Sequence, residues 1–283
     1  MSRERKPDWL KIKLPTGKRY ADVMDIVKKH NLHTICQSGN CPNLGECWGE
    51  GTATFMILGD ICTRSCRFCA VKTGKPLPPD EQEPGKVARS VKLMNLKHCV
   101  ITSVDRDDLE DGGAVHWYNT IKKIKEVNPN TTIESLIPDF NGSKKLIEKV
   151  AKAEPEVISH NLETVERLSK EVRIKARYDI SLKVLEILTN TNSRAKTGIM
   201  VGLGESNEEV IKTLKDIIST GCKVVTIGQY LQPTKNHLPV DRYVTPAEFE
   251  EFKKTGMQLG FSIVESAPLV RSSYHAEKHL SNK

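Results

Sequence analysis

From Thr54 onward the chain alternates two periods. Short apolar and β-branched runs recur at Thr54 to Leu58, His98 to Ser103, Thr131 to Ile137, Glu156 to His160, Thr197 to Val201 and Lys223 to Ile227, and each precedes a stretch of helical spacing. Runs of that length predict strands, and their alternation with helical segments predicts βα units around a parallel sheet. Val210, Ile211, Leu214, Ile217 and Ile218 share one helical face behind Ser206 and Glu209, which have the spacing of a capping box. Thr245, Pro246 and Glu248 open a last helix, with threonine as N-cap, proline at the first position and glutamate to close a second capping box. Six such units are too few to close an eight-stranded barrel. The pattern therefore predicts an α/β protein, a partial (βα)6 TIM-like barrel over residues 51–260 with an N-terminal extension (1–50) and a C-terminal tail (261–283). Within the extension, Tyr20 to Lys29 is amphipathic.

In βα architectures ligands sit at the carboxyl ends of the strands. Polar residues collect there: Thr102, Ser103 and Asp105 to Asp108 after the second strand, Pro138-Asp139-Phe140 after the third, His160-Asn161-Leu162-Glu163 after the fourth, and Gly202 to Glu205 after the fifth. Each taken singly fits a solvated turn or a helix cap. Several at corresponding positions predict one site.

Composition narrows the class. The 283 residues are 38% hydrophobic and 28% charged, enough for one large core. The net charge is +7, which suits an acidic partner or a phosphate-bearing ligand, but acids and bases are interleaved and aromatics make up only 5%. No block of like charge with stacking aromatics marks a nucleic-acid groove, so no nucleic-acid partner is expected. No run approaches the roughly 18 to 20 apolar residues that span a bilayer, so no membrane association is expected. Met1 to Lys13 lacks the apolar core of a signal peptide and carries Glu4 and Asp8, unlike an acid-poor transit peptide. A cytoplasmic chain is the expectation. In a reducing compartment eight cysteines are ligands more often than disulfides, and six of them fall between Cys36 and Cys69.

Those six form two loops. Cys62, Cys66 and Cys69 follow the first strand with gaps of three and two residues, an aromatic preceding the last. A cubane cluster held by three thiolates keeps a fourth iron open to chelate a small molecule. A zinc knuckle would pair such cysteines with a second C-x2-C or with histidines, and no His lies between Ser38 and Met94. A disulfide framework would need a secreted chain, and inert buried thiols would not need this spacing. Upstream, Cys36, Cys41 and Cys47 are set at gaps of four and five in a segment rich in Gly, Pro and Asn, irregular backbone with no apolar reason to bury three thiols. Cys99 and Cys222 have no cysteine at ligand spacing and read as structural.

The C-x3-C-x2-C loop resembles the signature of radical S-adenosylmethionine (SAM) enzymes, and the chain resembles the lipoyl synthases from end to end. Lys6-Pro7-Asp8-Trp9-Leu10, both cysteine loops, Ile101 to Leu109, Pro138-Asp139-Phe140, His160 to Thr164, Gly198 to Glu205, Gly228 to Thr234 and Arg271-Ser272-Ser273-Tyr274 carry the likeness. The resemblance implies two 4Fe-4S clusters. Cys62, Cys66 and Cys69 would hold the SAM-cleaving one; Cys36, Cys41 and Cys47, with Ser273 as an oxygen ligand, would hold an auxiliary one. An alkoxide beside three thiolates would leave one corner easier to release, as suits a cluster that surrenders sulfur. The implied reaction inserts sulfur at C6 and C8 of an octanoyl chain amide-linked to a lysine of a lipoyl carrier protein or lipoyl domain, using one SAM per carbon. Unactivated methylene hydrogens are not acidic, so a radical is needed. The resemblance also implies an electron donor such as flavodoxin or ferredoxin. It places Thr102 and Ser103 near the methionine part of SAM, Asn161 and Glu163 near its ribose, and Gly202 where the backbone approaches it. Other readings are another sulfur-inserting enzyme, such as a biotin synthase or methylthiotransferase, or a non-enzymatic basic protein whose cysteines bind zinc or sense redox state and whose partner is nucleic acid.

Overall fold

The computed structural model describes residues 5–11, 18–29, 34 and 43–273. Helices α1 (Lys18–Lys29) and α2 (Leu44–Glu50) lead into β1 (Thr52–Ile57), which is followed by a loop closed by two short strands, β2 (Ile61–Cys62) and β3 (Lys72–Thr73). Helix and strand then alternate: α3 (Glu83–Leu93), β4 (His98–Ser103), α4 (Ala114–Val127), β5 (Thr132–Leu136), α5 (Lys144–Ala151), β6 (Val157–Ser159), α6 (Glu166–Val172), α7 (Tyr178–Thr189), β7 (Arg194–Val201), α8 (Asn207–Ser219), β8 (Val224–Gln229), α9 (Pro246–Leu259) and β9 (Ile263–Ser266).

Seven of these strands form one sheet in the order β1-β4-β5-β6-β7-β8-β9, each pair parallel. Parallel neighbours require a crossover, and all six crossovers carry helices. The result is an open (βα) barrel whose edges are β1 and β9. All six predicted strands are present, with β1 beginning at Thr52 rather than Thr54 and β7 at Arg194 rather than Thr197. The seventh, β9, corrects the reading of residues 261–283 as a tail alone, because the sheet runs past residue 260. It is a four-residue edge strand with only Val264 buried, so it has no apolar run to announce it.

Central strands are buried on both faces, β8 at every position. The helices cover the outside through regular stripes, as in α4, where Trp117, Ile121 and Ile124 are fully buried. Both predicted capping boxes form: the Glu209 N–H donates to Ser206 Oγ at 3.3 Å, and the Glu248 N–H to Thr245 Oγ1 at 3.3 Å. The barrel interior is polar beneath the strand ends. Lys196 of β7 donates to Glu134 of β5 at 2.8 and 3.0 Å, with side chains 1% and 0% exposed. Ser159 Oγ donates to the same carboxylate at 3.0 Å, so the pair ties β5 to β7 across β6. Burial, with the Lys196 charge adding to it, lowers the neighbouring His98 to about 3, so its imidazole is neutral.

Candidate active site

The cysteine loop leaves β1 through Leu58 and Gly59, both with left-handed φ, 67° and 95°. A leucine does not adopt that conformation freely. It is held there because the Leu58 N–H donates to Glu83 Oε2 at 2.7 Å and its carbonyl accepts from Arg106 Nη1 at 3.1 Å. Parallel pairing of Cys62 with Thr73 closes the base of the loop, and the Cys69 N–H turns back to the Cys66 carbonyl at 3.1 Å.

Arg64 rivets this loop to the strand ends. Its guanidinium, 5% exposed, grips Asp107 through Nε and Nη2 at 2.9 and 2.7 Å, and Asp139 through Nη1 and Nη2 at 2.7 and 2.8 Å. Asp107 follows β4 and Asp139 follows β5, so one side chain joins three segments. Burial opposes charge on Asp139, but the Arg64 guanidinium wins and holds its carboxyl down at about 2. Burial raises Asp105 against the pull of Arg64.

The donors around the sulfur suit a thiolate-bound group. Cys62 Sγ accepts from the backbone N–H of Asp105 at 3.3 Å and of Arg64 at 3.4 Å. N–H groups aimed at sulfur stabilise negative charge on it and tune a bound cluster. Burial pushes the Cys66 thiol up to about 12 and raises Cys62 and Cys69, so the metal itself must displace their protons. Among the described residues no three Cys, His, Asp or Glu side chains converge on one ion site. A cubane asks for three thiolates on three irons instead.

Cys66 stands in the wall of a cavity of about 130 Å³ that Thr102, Ser103, Asn161, Glu163 and Arg173 also line. Four of the five residues assigned to SAM by the sequence are thus brought together beside the cysteines. Ser103 Oγ already accepts the Trp117 indole N–H at 3.3 Å. Asn161 is 9% exposed, and its Oδ1, which has no hydrogen-bond partner, is turned toward β7, 3.1 Å from where a Cβ on Gly198 would stand. Glu163 has a left-handed φ of 67° and bridges to Ile199, which sets its carboxylate at the cavity; burial raises its pKa against the opposing Arg173 charge.

Gly202 stands apart from the other four. It does not line the cavity; a Cβ there would strike the Gln229 side chain and would lie 2.6 Å from the Arg242 carbonyl. Its N–H donates to Glu205 Oε1 at 2.6 Å. The close backbone approach that requires glycine is made by the chain itself.

Arg173, like Arg64, is a residue that sequence reasoning missed. It is 6% exposed, its Nη1 donates to the Leu162 carbonyl at 3.1 Å and to Ser181 Oγ at 2.8 Å, and it brings a positive charge to the cavity. The Ser181 hydroxyl in turn meets His160 Nε2 at 3.0 Å, while His160 Nδ1 donates to the Ile137 carbonyl at 3.0 Å. Burial and the Arg173 charge lower His160 to about 4, so the ring is a neutral spacer that orients Arg173.

Cys36, Cys41 and Tyr274 lie outside the described residues. Cys47 is half-buried on α2, and Ser273 is half-buried beyond β9. Their segments meet: Asn43, whose carbonyl accepts from the Cys47 N–H at 2.9 Å, donates through Nδ2 to the Leu269 carbonyl at 2.8 Å. The segment after β9 lies over the end of β8, where a Cβ on Gly228 would collide with the Val270 carbonyl and Arg271 Nη1 donates to the Gln229 carbonyl at 3.3 Å. This contact joins the segments flanking the two open edges of the barrel. Cys99 and Cys222 are buried in the core, as expected of structural thiols.

An open parallel barrel with a three-cysteine loop at its strand ends defines a radical SAM enzyme, and residues 56–217 match the model of the radical SAM superfamily. Residues 1–41 match the model of the N-terminal domain of lipoyl synthase. The chain is 60% identical over 280 residues to the lipoyl synthase of Christiangramia forsetii, covering 99% of this chain and 96% of that one. It is also 60% identical over 279 residues to the mitochondrial lipoyl synthase of Nematostella vectensis, covering 98% and 96%. The chain belongs to the lipoyl synthase family. In fold it is similar to Streptococcus suis SuiB bound to its precursor peptide SuiA, with a TM-score of 0.58 and 14% identity over 92% of this chain and 55% of SuiB, so it spans about half of that protein.

Proposed function

We propose that the chain inserts two sulfur atoms, at C6 and C8, into an octanoyl group carried on a lysine of a lipoyl carrier protein or lipoyl domain, in the cytoplasm. The observation that carries this is the Cys62 loop, its sulfur met by two N–H groups, standing in the wall of a cavity with Asn161, Glu163 and Arg173. Cys62, Cys66 and Cys69 would hold a 4Fe-4S cluster; Cys36, Cys41, Cys47 and Ser273 would hold a second. When bound, the first supplies the electron that cleaves SAM and the second supplies sulfide. The chain's own residues bind and orient. Thr102 and Ser103 meet the methionine part of SAM, Asn161 and Glu163 its ribose, and Arg173 faces its carboxylate. Arg64 keeps the cysteine loop against the strand ends while the substrate comes and goes.

Arg173→Met is expected to raise the KM for SAM about tenfold or more, as loss of a charge-assisted contact does, with a smaller fall in kcat. Steady-state kinetics of 5′-deoxyadenosine release check this; a KM unchanged in Arg173→Met would remove the residue from the SAM site. The assignment of the second cluster is tested by replacing Cys36, Cys41 and Cys47 with alanine. SAM cleavage should survive and lipoyl formation should stop. Ser273→Ala should assemble more cluster than the triple variant, because three thiolates remain, yet insert sulfur poorly. Lipoyl product from the triple variant would contradict the proposal.

A further inference from the structure

A groove of about 1270 Å³ runs along the other side of the cysteine loop. Groove and cavity share no lining residue, and they alternate along two segments: Cys66 and Phe68 line the cavity where Arg67 lines the groove, and Arg173 lines the cavity where Val172 lines the groove. The Arg67 N–H donates to the Val172 carbonyl at 2.9 Å, so the wall between them is one hydrogen-bonded pair of backbones. The groove's far side is the loop after β8, and it touches the cysteine loop directly. The Leu238 N–H donates to the Arg67 carbonyl at 3.2 Å, and His237 Nε2 to the Cys69 carbonyl at 3.0 Å. Because a carbonyl only accepts, Nε2 carries the proton, and in the neutral ring Nδ1 accepts from the Thr234 hydroxyl at 2.8 Å.

Among the described residues the rim carries three cations, Lys6, Arg67 and Lys235, against two acids, Glu171 and Asp241. Lys6 and Lys235 are exposed, and neither has a carboxylate partner among the described residues; Arg67 pairs with Glu171 at 2.9 Å, and Asp241 is the other acid. We propose that this groove docks a one-electron donor of acidic surface, a small flavin or iron–sulfur protein, on the face of the cysteine loop turned away from the cavity. The proposal rests on the reading of the cavity as the SAM site. Two arguments choose this occupant over the octanoyl carrier. A carrier seated in the groove would have the cysteine loop between its acyl chain and the cavity where the chemistry occurs, whereas an electron needs no opening in that wall. A protein that must dock, deliver an electron and leave is served by steering charges at a rim, which raise encounter rates without locking the complex.

The test uses the reconstituted full chain, a purified flavodoxin as probe, and the double variant Lys6→Glu with Lys235→Glu. Affinity is read by fluorescence anisotropy of labelled flavodoxin, and SAM cleavage is driven in parallel by reduced flavodoxin and by dithionite. We expect the variant to bind flavodoxin about tenfold more weakly and to need correspondingly more of it for half-maximal cleavage. Its dithionite-driven rate and its KM for octanoyl carrier should match those of the unsubstituted chain. Unchanged flavodoxin affinity would overturn the proposal, as would a raised carrier KM with flavodoxin affinity intact, which would give the groove to the carrier. An equal fall in the dithionite-driven rate would also overturn it by placing the lysines in the chemistry. Absence of dithionite-driven cleavage in the unsubstituted chain would instead remove the SAM reading, leaving the binding measurement to decide on docking alone.

Discussion

Replacing Cys62, Cys66 and Cys69 with alanine is expected to leave about four irons per chain where the reconstituted enzyme should hold about eight, and to bring reductive SAM cleavage down to background. The expectation follows from where the loop stands. Its Cys66 is in the wall of the cavity that Asn161, Glu163 and Arg173 line, and its Cys62 sulfur is met by two backbone donors. No other described cysteine could take over, since Cys99 and Cys222 are buried in the core and Cys47 lies on α2. Iron and sulfide analysis with a 5′-deoxyadenosine assay checks both parts. Cleavage at the unsubstituted rate in the triple variant would show that SAM is activated elsewhere.

The second large effect is on stability. Arg64→Met should destabilise the fold by about 3 to 5 kcal/mol, because it strips the partner from buried carboxylates. Asp139 is 3% exposed and Asp107 22%, so neither can recover full hydration by a small movement. A loss of that size lowers the thermal midpoint by about 10 °C in a chain of this length. Arg64→Lys should recover only part of it, since an ammonium cannot grip two carboxylates bidentately. Adding Asp139→Asn to Arg64→Met should restore some stability by removing the uncompensated charge. Calorimetry across the three variants reads the series, and a midpoint unchanged in Arg64→Met would mean the network holds nothing together.

The contrast between Arg64 and the cysteines explains what was legible in the sequence. Cys62, Cys66 and Cys69 act through a spacing contained in one loop, and the central strands announce themselves because both faces are buried. Arg64 acts through Asp107 and Asp139, 43 and 75 residues away, so within its own loop it looks like one more surface cation. Arg173 is similar: its meaning comes from Ser181, His160 and the cavity, which meet only when the barrel forms. Strand β9 was hidden by being short and at the edge. Gly202 is hard to read for a physical reason, since a glycine marks close approach without saying by what, and within the chain Gln229 and Arg242 stand against it. Ser273 could be singled out only by resemblance, because no residue type or spacing marks a serine as a cluster ligand. Its neighbourhood became visible through the Asn43 contact with Leu269.

The most direct test of the account follows sulfur. The second cluster is rebuilt with heavy sulfide on the full chain, and octanoyl carrier, SAM and reductant are supplied with no other sulfur source. Mass spectrometry of the carrier then reads the product. The account predicts that the heavy label appears in both sulfur positions and that turnover stops near one product per chain. Unlabelled lipoyl product, or many turnovers without added sulfur, would contradict it.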